Sequence, residues 1–238
     1  MTDILGYDRF GAYGGDIGGM VTNRLGLEFP ERLAGLMTSF VAEPYLGAGS
    51  APLTPAEREF LDRRRAGALH GANAYWHVQS TRPQTLAVGL TDSPAGLAAW
   101  VVDKWREWSD CDGEIERRFS KDDVLTLLTL YWVTGTTASS FQIYADWQLG
   151  HTDDPSAWAA ERRAVPTGVA RPLARHERID VPAGVVLFAL ARWPREWAER
   201  SYSDLRRFVV MPRGGHFGAL EEPELLAGEL RAFFRGLR

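Results

Sequence analysis

Arg9-Phe10-Gly11-Ala12-Tyr13-Gly14-Gly15-Asp16-Ile17-Gly18-Gly19 is the stretch that decides the fold. A short segment from Arg9 to Tyr13 runs into a glycine-rich sharp turn, and a helix over about Gly19 to Leu25 follows it. The reading is strand, turn, helix. Working outward, the Pro30-Glu31-Arg32 turn leads to a second strand over Leu33 to Phe40. Two later apolar runs, Gly184-Val185-Val186-Leu187-Phe188 and Phe208-Val209-Val210-Met211, read as buried strands. Such short runs, without period-two alternation, suit parallel strands covered on both faces. The chain closes on a helix over about Pro223 to Leu237, where Leu225, Leu226, Leu230, Phe233, Phe234 and Leu237 follow helical spacing. The fold class expected is α/β, with a parallel sheet.

Between the second and third strands, residues 46–174 read as helical almost throughout, inserted between core segments 1–45 and 175–238. Thr54-Pro55 and Ser93-Pro94 each look like an N-cap followed by proline at the first helical position. Leu97, Trp100, Val101, Trp105 and Trp108 form one stripe, and Ser120 caps a further helix with Asp122 and Asp123 in its first turn. Trp76, Trp100, Trp105, Trp108, Trp132 and Trp147 crowd this region. Each tryptophan alone reads as core packing. Together, in a helical excursion between strands, they read as a lid over a pocket.

The whole chain is 238 residues with 45% hydrophobic and 24% charged residues, which suits a globular domain with a sizeable core. A formal charge of −4 and the lack of a long basic run argue against a nucleic-acid face. The lone Cys111 excludes an internal disulfide framework and the commoner cysteine zinc sites. No apolar run reaches the roughly 20 residues needed to cross a bilayer, and no basic-then-apolar leader is seen. A cytoplasmic, soluble, single-domain protein without membrane or nucleic-acid partners is expected.

Gly14-Gly15-Asp16-Ile17-Gly18 fits the nucleophile-elbow pattern, with Asp where serine hydrolases carry Ser. The turn imposes strained angles on its central residue, and neighbours without Cβ let strand and helix approach. Asp16 is then raised above the sheet at a helix N-terminus, where the Ile17 amide can face developing negative charge. A carboxylate needs no base to become a nucleophile and suits attack on an alkyl carbon. The plainer alternative is an N-cap Asp in a glycine turn. The second feature, Arg213-Gly214-Gly215-His216-Phe217, follows the last strand, at the carboxyl end where parallel sheets bind ligands. An early nucleophile and a late histidine is the chain order of α/β-hydrolases. His70, His77, His151 and His176 show no partner spacing, so no metal and no cofactor are expected.

Further motifs extend the pattern: Tyr75-Trp76-His77-Val78-Gln79-Ser80-Thr81-Arg82-Pro83-Gln84-Thr85, then Gly89-Leu90-Thr91-Asp92-Ser93-Pro94, Tyr131-Trp132-Val133-Thr134-Gly135-Thr136, and Glu221-Glu222-Pro223-Glu224-Leu225-Leu226. With these in order, the chain resembles the epoxide hydrolases of the α/β-hydrolase superfamily, most closely the microsomal-type branch. The resemblance implies a partial α/β-hydrolase fold with an inserted helical lid. It also implies that Asp16 opens an epoxide by backside attack and that Tyr75 and Tyr144 donate to the epoxide oxygen. His216 would then activate water against the Asp16 ester, with the Ile17 amide as an oxyanion donor, releasing a vicinal diol. The implied substrate is a small hydrophobic epoxide.

Three departures from the family's pattern stand out. Phe188-Ala189-Leu190-Ala191-Arg192-Trp193-Pro194, where this branch places the acid that orients the histidine, holds no carboxylate. Glu43, after the second strand, is favoured as a replacement, with Glu196 the other candidate. Only 15 residues precede Asp16, and no His-Gly-x-Pro loop occurs, so the N-terminal part of the sheet is expected to be lacking. The elbow strand would then leave an exposed edge that favours a homo-oligomer or another chain. The competing readings are an inactive fragment that binds a hydrophobic ligand or partner chain, and a haloalkane dehalogenase-like hydrolase.

Overall fold

The computed structural model describes residues 1–69, 73–149, 173–188 and 192–237. It divides into two compact units: Met1–Leu61, Trp108–Asp110 and Ala170–Arg238 form the first, and Asp62–Glu107 with Cys111–Val169 form the second.

The first unit is built on strands β1 (Phe10–Gly14), β2 (Leu33–Thr38), β3 (Ile179–Leu187) and β4 (Tyr202–Val210). They lie in the order β1-β2-β3-β4, every neighbouring pair parallel. The register runs across the sheet through Tyr13, Met37, Gly184 and Arg207. Parallel neighbours need crossover connections. After the short helix α1 (Thr2–Leu5), helix α2 (Asp16–Glu28) supplies the one from β1 to β2.

The residues facing the two sides of the sheet explain why the strands read as apolar runs. On one side Leu33, Leu36, Val185, Leu187, Trp197 and Tyr202 pack into a single core cluster. On the other, Met37, Val186 and Phe188 pack against Leu226 and Phe233. Burying such side chains contributes roughly 1.5–3 kcal/mol each.

Several boundaries differ from the sequence reading. Strands β3 and β4 begin at Ile179 and Tyr202, well before the apolar runs over 184–188 and 208–211. Strand β4 has β3 as its one neighbour among the described residues, so it tolerates Asp204, Arg206 and Arg207 and its first half lacks an apolar signature. Strand β2 ends at Thr38, short of Phe40, where the Thr38 hydroxyl turns back to donate to Phe40 O at 2.9 Å.

The second unit is helical where it is described. Helix α3 (Pro55–Leu69) starts in the first unit, followed by α4 (Ala74–Thr81), α5 (Pro83–Asp92), α6 (Pro94–Trp108), α7 (Lys121–Thr134), α8 (Thr137–Ser140) and α9 (Gln142–Leu149). The N-caps read from the sequence are formed. Thr54 and Glu57 bond each other's amides at 3.2 and 2.8 Å, Ser93 accepts from Gly96 N at 3.0 Å, and Ser120 makes a capping box with Asp123. The aromatic residues here pack: Trp76 lies 4.7 Å from Tyr144, Trp105 lies 4.7 Å from Phe119, and Trp100 Nε1 donates to Gln79 Oε1 at 2.8 Å. His70, His151 and the Trp147 side chain lie outside the described residues. No single described helix is long and apolar enough to cross a membrane.

The chain returns through β3 to helix α10 (Arg195–Ser201), which connects to β4, and then to α11 (Gly218–Glu221) and α12 (Pro223–Arg235).

Candidate active site

The elbow is a sharp turn between β1 and α2. Asp16 adopts φ 48°, a left-handed conformation uncommon for a residue with a side chain. A Cβ on Gly14 would lie 2.0 Å from Gly18 O, so strand and helix could not meet there with any other residue. Gly18, the second small residue of the pattern, has nothing within 4 Å of its added Cβ. The steric demand on the helix side falls instead on Gly19, whose Cβ would meet Phe40 Cβ at 2.5 Å.

Helix α2 begins at Asp16 rather than Gly19, with extended Gly15 as its N-cap and Gly19 N donating to Gly15 O at 3.0 Å. The early start puts Asp16 at the first helical position and the Ile17 amide among the N-terminal donors that have no intrahelical partner. Those amides and the helix dipole favour negative charge. The carbonyl of Gly14 accepts from Ser39 N, just after β2, at 3.0 Å, and shares the Thr38 hydroxyl proton with Phe40 O, at the longer distance of 3.2 Å. Beside it the Tyr13 hydroxyl pairs with Ser39 Oγ at 3.0 Å. Burial pushes the Tyr13 phenol above its ordinary value, opposed by the Ser39 hydrogen bond.

His216 lies in the loop between β4 and α11. Its Nε2 is 3.3 Å from Asp16 Oδ2, with the two side chains 34% and 49% exposed, so the pair stays open to a ligand. The sequence-predicted nucleophile and base are therefore brought together. The His216 ring is flanked by Trp108 at 5.2 Å and Phe217 at 5.0 Å between centroids.

The orienting acid is a different matter. Glu43 lies in the segment after β2, half-buried, its carbonyl accepting from Leu173 N at 2.8 Å. Its segment is well anchored. Tyr202, fully buried with its phenol pushed up by burial, accepts from Ala42 N at 3.1 Å and donates to Asn23 Oδ1 at 2.7 Å. Ser201 Oγ donates to Ala42 O at 2.6 Å. The His216 ring presents its Nε2 to Asp16. Glu196 sits in the first turn of α10. Residues 189–191, inside the stretch read as missing its acid, lie outside the described residues.

Tyr75 and Tyr144 belong to the second unit, on α4 and α9, and their rings meet edge to face at 6.2 Å between centroids. Lys104 Nζ lies 5.8 Å from the Tyr75 ring centre, within reach of a cation–π contact. Among the described residues no group of three or more His, Cys, Asp or Glu could hold a metal ion.

What the sequence reading did not find are two carboxylates behind the histidine loop. Glu221 accepts from the amides of Gly215 and Phe217, both at 3.0 Å, and of Asp110 at 2.8 Å. Asp110 in turn accepts from Gly214 N at 2.8 Å. The Glu221-Glu222-Pro223 signal was visible, but nothing local marks which amides it serves.

Comparison with known proteins gives these observations a family context. No protein-family model matches the chain. A protein of Stigmatella aurantiaca (strain DW4/3-1) named "Putative epoxide hydrolase" is 37% identical over 236 residues, 98% of this chain and 48% of its own length. Epoxide hydrolase 1 of Sus scrofa is 33% identical over 248 residues, 96% of this chain and 51% of its own. Among solved structures, juvenile hormone epoxide hydrolase from the silkworm Bombyx mori superposes with a TM-score of 0.72 at 25% identity, covering 100% of this chain and 52% of that one. The chain thus spans about half the length of the curated relatives it matches. Its resemblance to epoxide hydrolases holds in sequence and structure, and its fold is that of part of an α/β-hydrolase.

Proposed function

We propose that this chain, similar over nearly all its length to epoxide hydrolases, carries the chemistry that converts an epoxide to a vicinal diol without a cofactor. The single observation that supports this most is the strained Asp16 at the head of α2 with His216 Nε2 3.3 Å away.

In this reading an Asp16 carboxylate oxygen attacks a ring carbon and the carbon–oxygen bond of the epoxide breaks. Tyr75 and Tyr144 donate a proton to the departing alkoxide. A water then loses a proton to His216 and adds to the ester carbonyl of Asp16. The Ile17 amide faces the oxyanion, a donor whose loss typically costs about 10²–10³ in rate. Collapse of the tetrahedral intermediate expels the diol oxygen, which takes the proton held by His216, and the proton left on the Asp16 carboxyl returns to the tyrosinate, restoring the carboxylate. The half-exposed pair and the aromatic residues beside His216 suit a small hydrophobic epoxide. The favoured orienting acid is Glu43, whose segment the Tyr202 and Ser201 hydrogen bonds hold in place. Glu43→Gln is expected to slow ester hydrolysis in a folded chain, and unchanged turnover would remove Glu43 from the site.

The tyrosine pair distinguishes this reading from a dehalogenase-like one, because a halide leaving group needs no proton. The test is diol formation from styrene oxide by the full chain, lost in Asp16→Ala. A chain that binds the epoxide without consuming it would favour the inert, ligand-binding reading.

A further inference from the structure

Four consecutive amides of the histidine loop each have a fixed acceptor. Gly214 N donates to Asp110 Oδ2 at 2.8 Å, Gly215 N to Glu221 Oε2 at 3.0 Å, His216 N to Trp108 O at 2.7 Å and Phe217 N to Glu221 Oε1 at 3.0 Å. Loop amides ordinarily face water and leave the loop free to move. Here none of the four does. The Glu221 carboxylate, 9% exposed, spans both sides of His216 and also takes Asp110 N at 2.8 Å, so it ties the loop to the segment Trp108–Asp110.

The glycines of the loop follow from the same arrangement. Gly214 has φ 96°, a conformation that side chains disfavour. A Cβ on Gly215 would lie 2.4 Å from Trp108 O, so the segment can approach only a glycine. The loop's base is held as well: Arg213 Nε donates to Glu222 Oε1 at 2.8 Å.

We propose that Glu221, with Asp110 as its auxiliary, is a positioning residue that sets the place of the His216 imidazole for the hydrolytic half of the reaction. This rests on the function proposed above. The physical reason is one of tolerance: a misplacement of about 1 Å in a reacting group can cost on the order of 10²-fold in rate. A carboxylate is suited to the task because its two oxygens can accept several amides at once, and bonds to a charged acceptor are roughly twice as strong as neutral ones. In Glu221→Gln one oxygen becomes an amide donor set against a backbone N–H, so at least one of the three bonds is lost.

The test compares wild type, Glu221→Gln and Glu221→Asp in two measurements on the full chain. In the first, styrene oxide is mixed with the protein, and the Asp16 ester and released diol are followed by mass spectrometry. In Glu221→Gln the rate of ester formation is expected to change less than threefold while ester hydrolysis slows tenfold or more, so that the ester accumulates. Glu221→Asp, which keeps both carboxylate oxygens, should recover part of the hydrolysis rate. Equal slowing of both steps, or no slowing in either variant, would overturn the proposal. The second measurement is amide hydrogen exchange. Glu221→Gln should raise exchange at Gly215 and Phe217 by tenfold or more and leave β1 to β3 unchanged. Unaltered exchange there, or a rise across the whole sheet, would overturn it. If wild type itself forms no ester and no diol, the proposed reaction fails on that arm, and the exchange result still decides whether Glu221 fixes the loop.

Discussion

Nε2 of His216 stands 3.3 Å from Oδ2 of Asp16, although one residue opens the chain's first crossover helix and the other follows its last strand. A parallel sheet makes this meeting possible, because the turns after β1 and β4 both emerge at the carboxyl edge.

If His216 is the base for water, its removal should separate the two halves of the reaction. His216→Gln is expected to form the Asp16 ester and then stall, with hydrolysis slowed by about 10²–10⁴-fold, the usual scale of general base catalysis. Rapid quenching followed by intact-mass measurement checks this. Diol release at the wild-type rate would remove His216 from the mechanism.

The elbow glycines are expected to differ sharply in tolerance. Gly14→Ala places a Cβ 2.0 Å from Gly18 O and should cost about 1–3 kcal/mol or more, because the clash is with backbone that cannot yield alone. Gly18→Ala meets nothing within 4 Å and should be neutral, or stabilise by about 0.5–1 kcal/mol as an alanine in a helix. Thermal unfolding of the two variants side by side reads out the contrast.

The acid limb of stability should carry the signature of Glu57. Its carboxylate is fully buried, takes Thr54 N at 2.8 Å, and meets Arg200 through Nε at 2.5 Å and Nη2 at 2.9 Å. Burial acts to raise its pKa, but Arg200 and the Thr54 amide outweigh burial and hold it below the ordinary 4.5. A depressed folded value means that the stabilisation is complete above the unfolded value and is lost as pH falls through the folded one. The melting temperature should therefore drop below about pH 4.5, and Glu57→Gln should lower it at neutral pH while flattening that drop. Arg200→Ala leaves the carboxylate buried and unpaired, at a cost of about 3–5 kcal/mol. Melting curves between pH 3 and 7 measure both effects.

Much of the fold was legible because it rests on local signals. Leu33, Leu36, Met37 and Val185 to Leu187 are fully buried, and continuous apolar sequence marks such strands. The half of β4 that carries Asp204, Arg206 and Arg207 was not legible, since a strand with one neighbour among the described residues need not be apolar. Asp16 and His216 were found because glycines flank both, and glycine leaves a trace wherever backbone must pass close. Glu221 and Asp110 were not found as loop anchors. Their partners are backbone amides, which have no sequence signature, and Asp110 meets Gly214 across 104 residues. The capping box of Thr54 and Glu57 lay between these cases: the cap was visible, but the buried pairing with Arg200 was not.

The central claim is that Asp16 is a covalent nucleophile whose ester is cleaved at the carbonyl. A single turnover in water enriched in heavy oxygen, with protein in excess over styrene oxide, tests it most directly. The account predicts that the peptide containing Asp16 gains one heavy oxygen while the diol released in that turnover stays unlabelled. An unlabelled Asp16 peptide together with a diol carrying the heavy oxygen would mean direct attack by water and would contradict it.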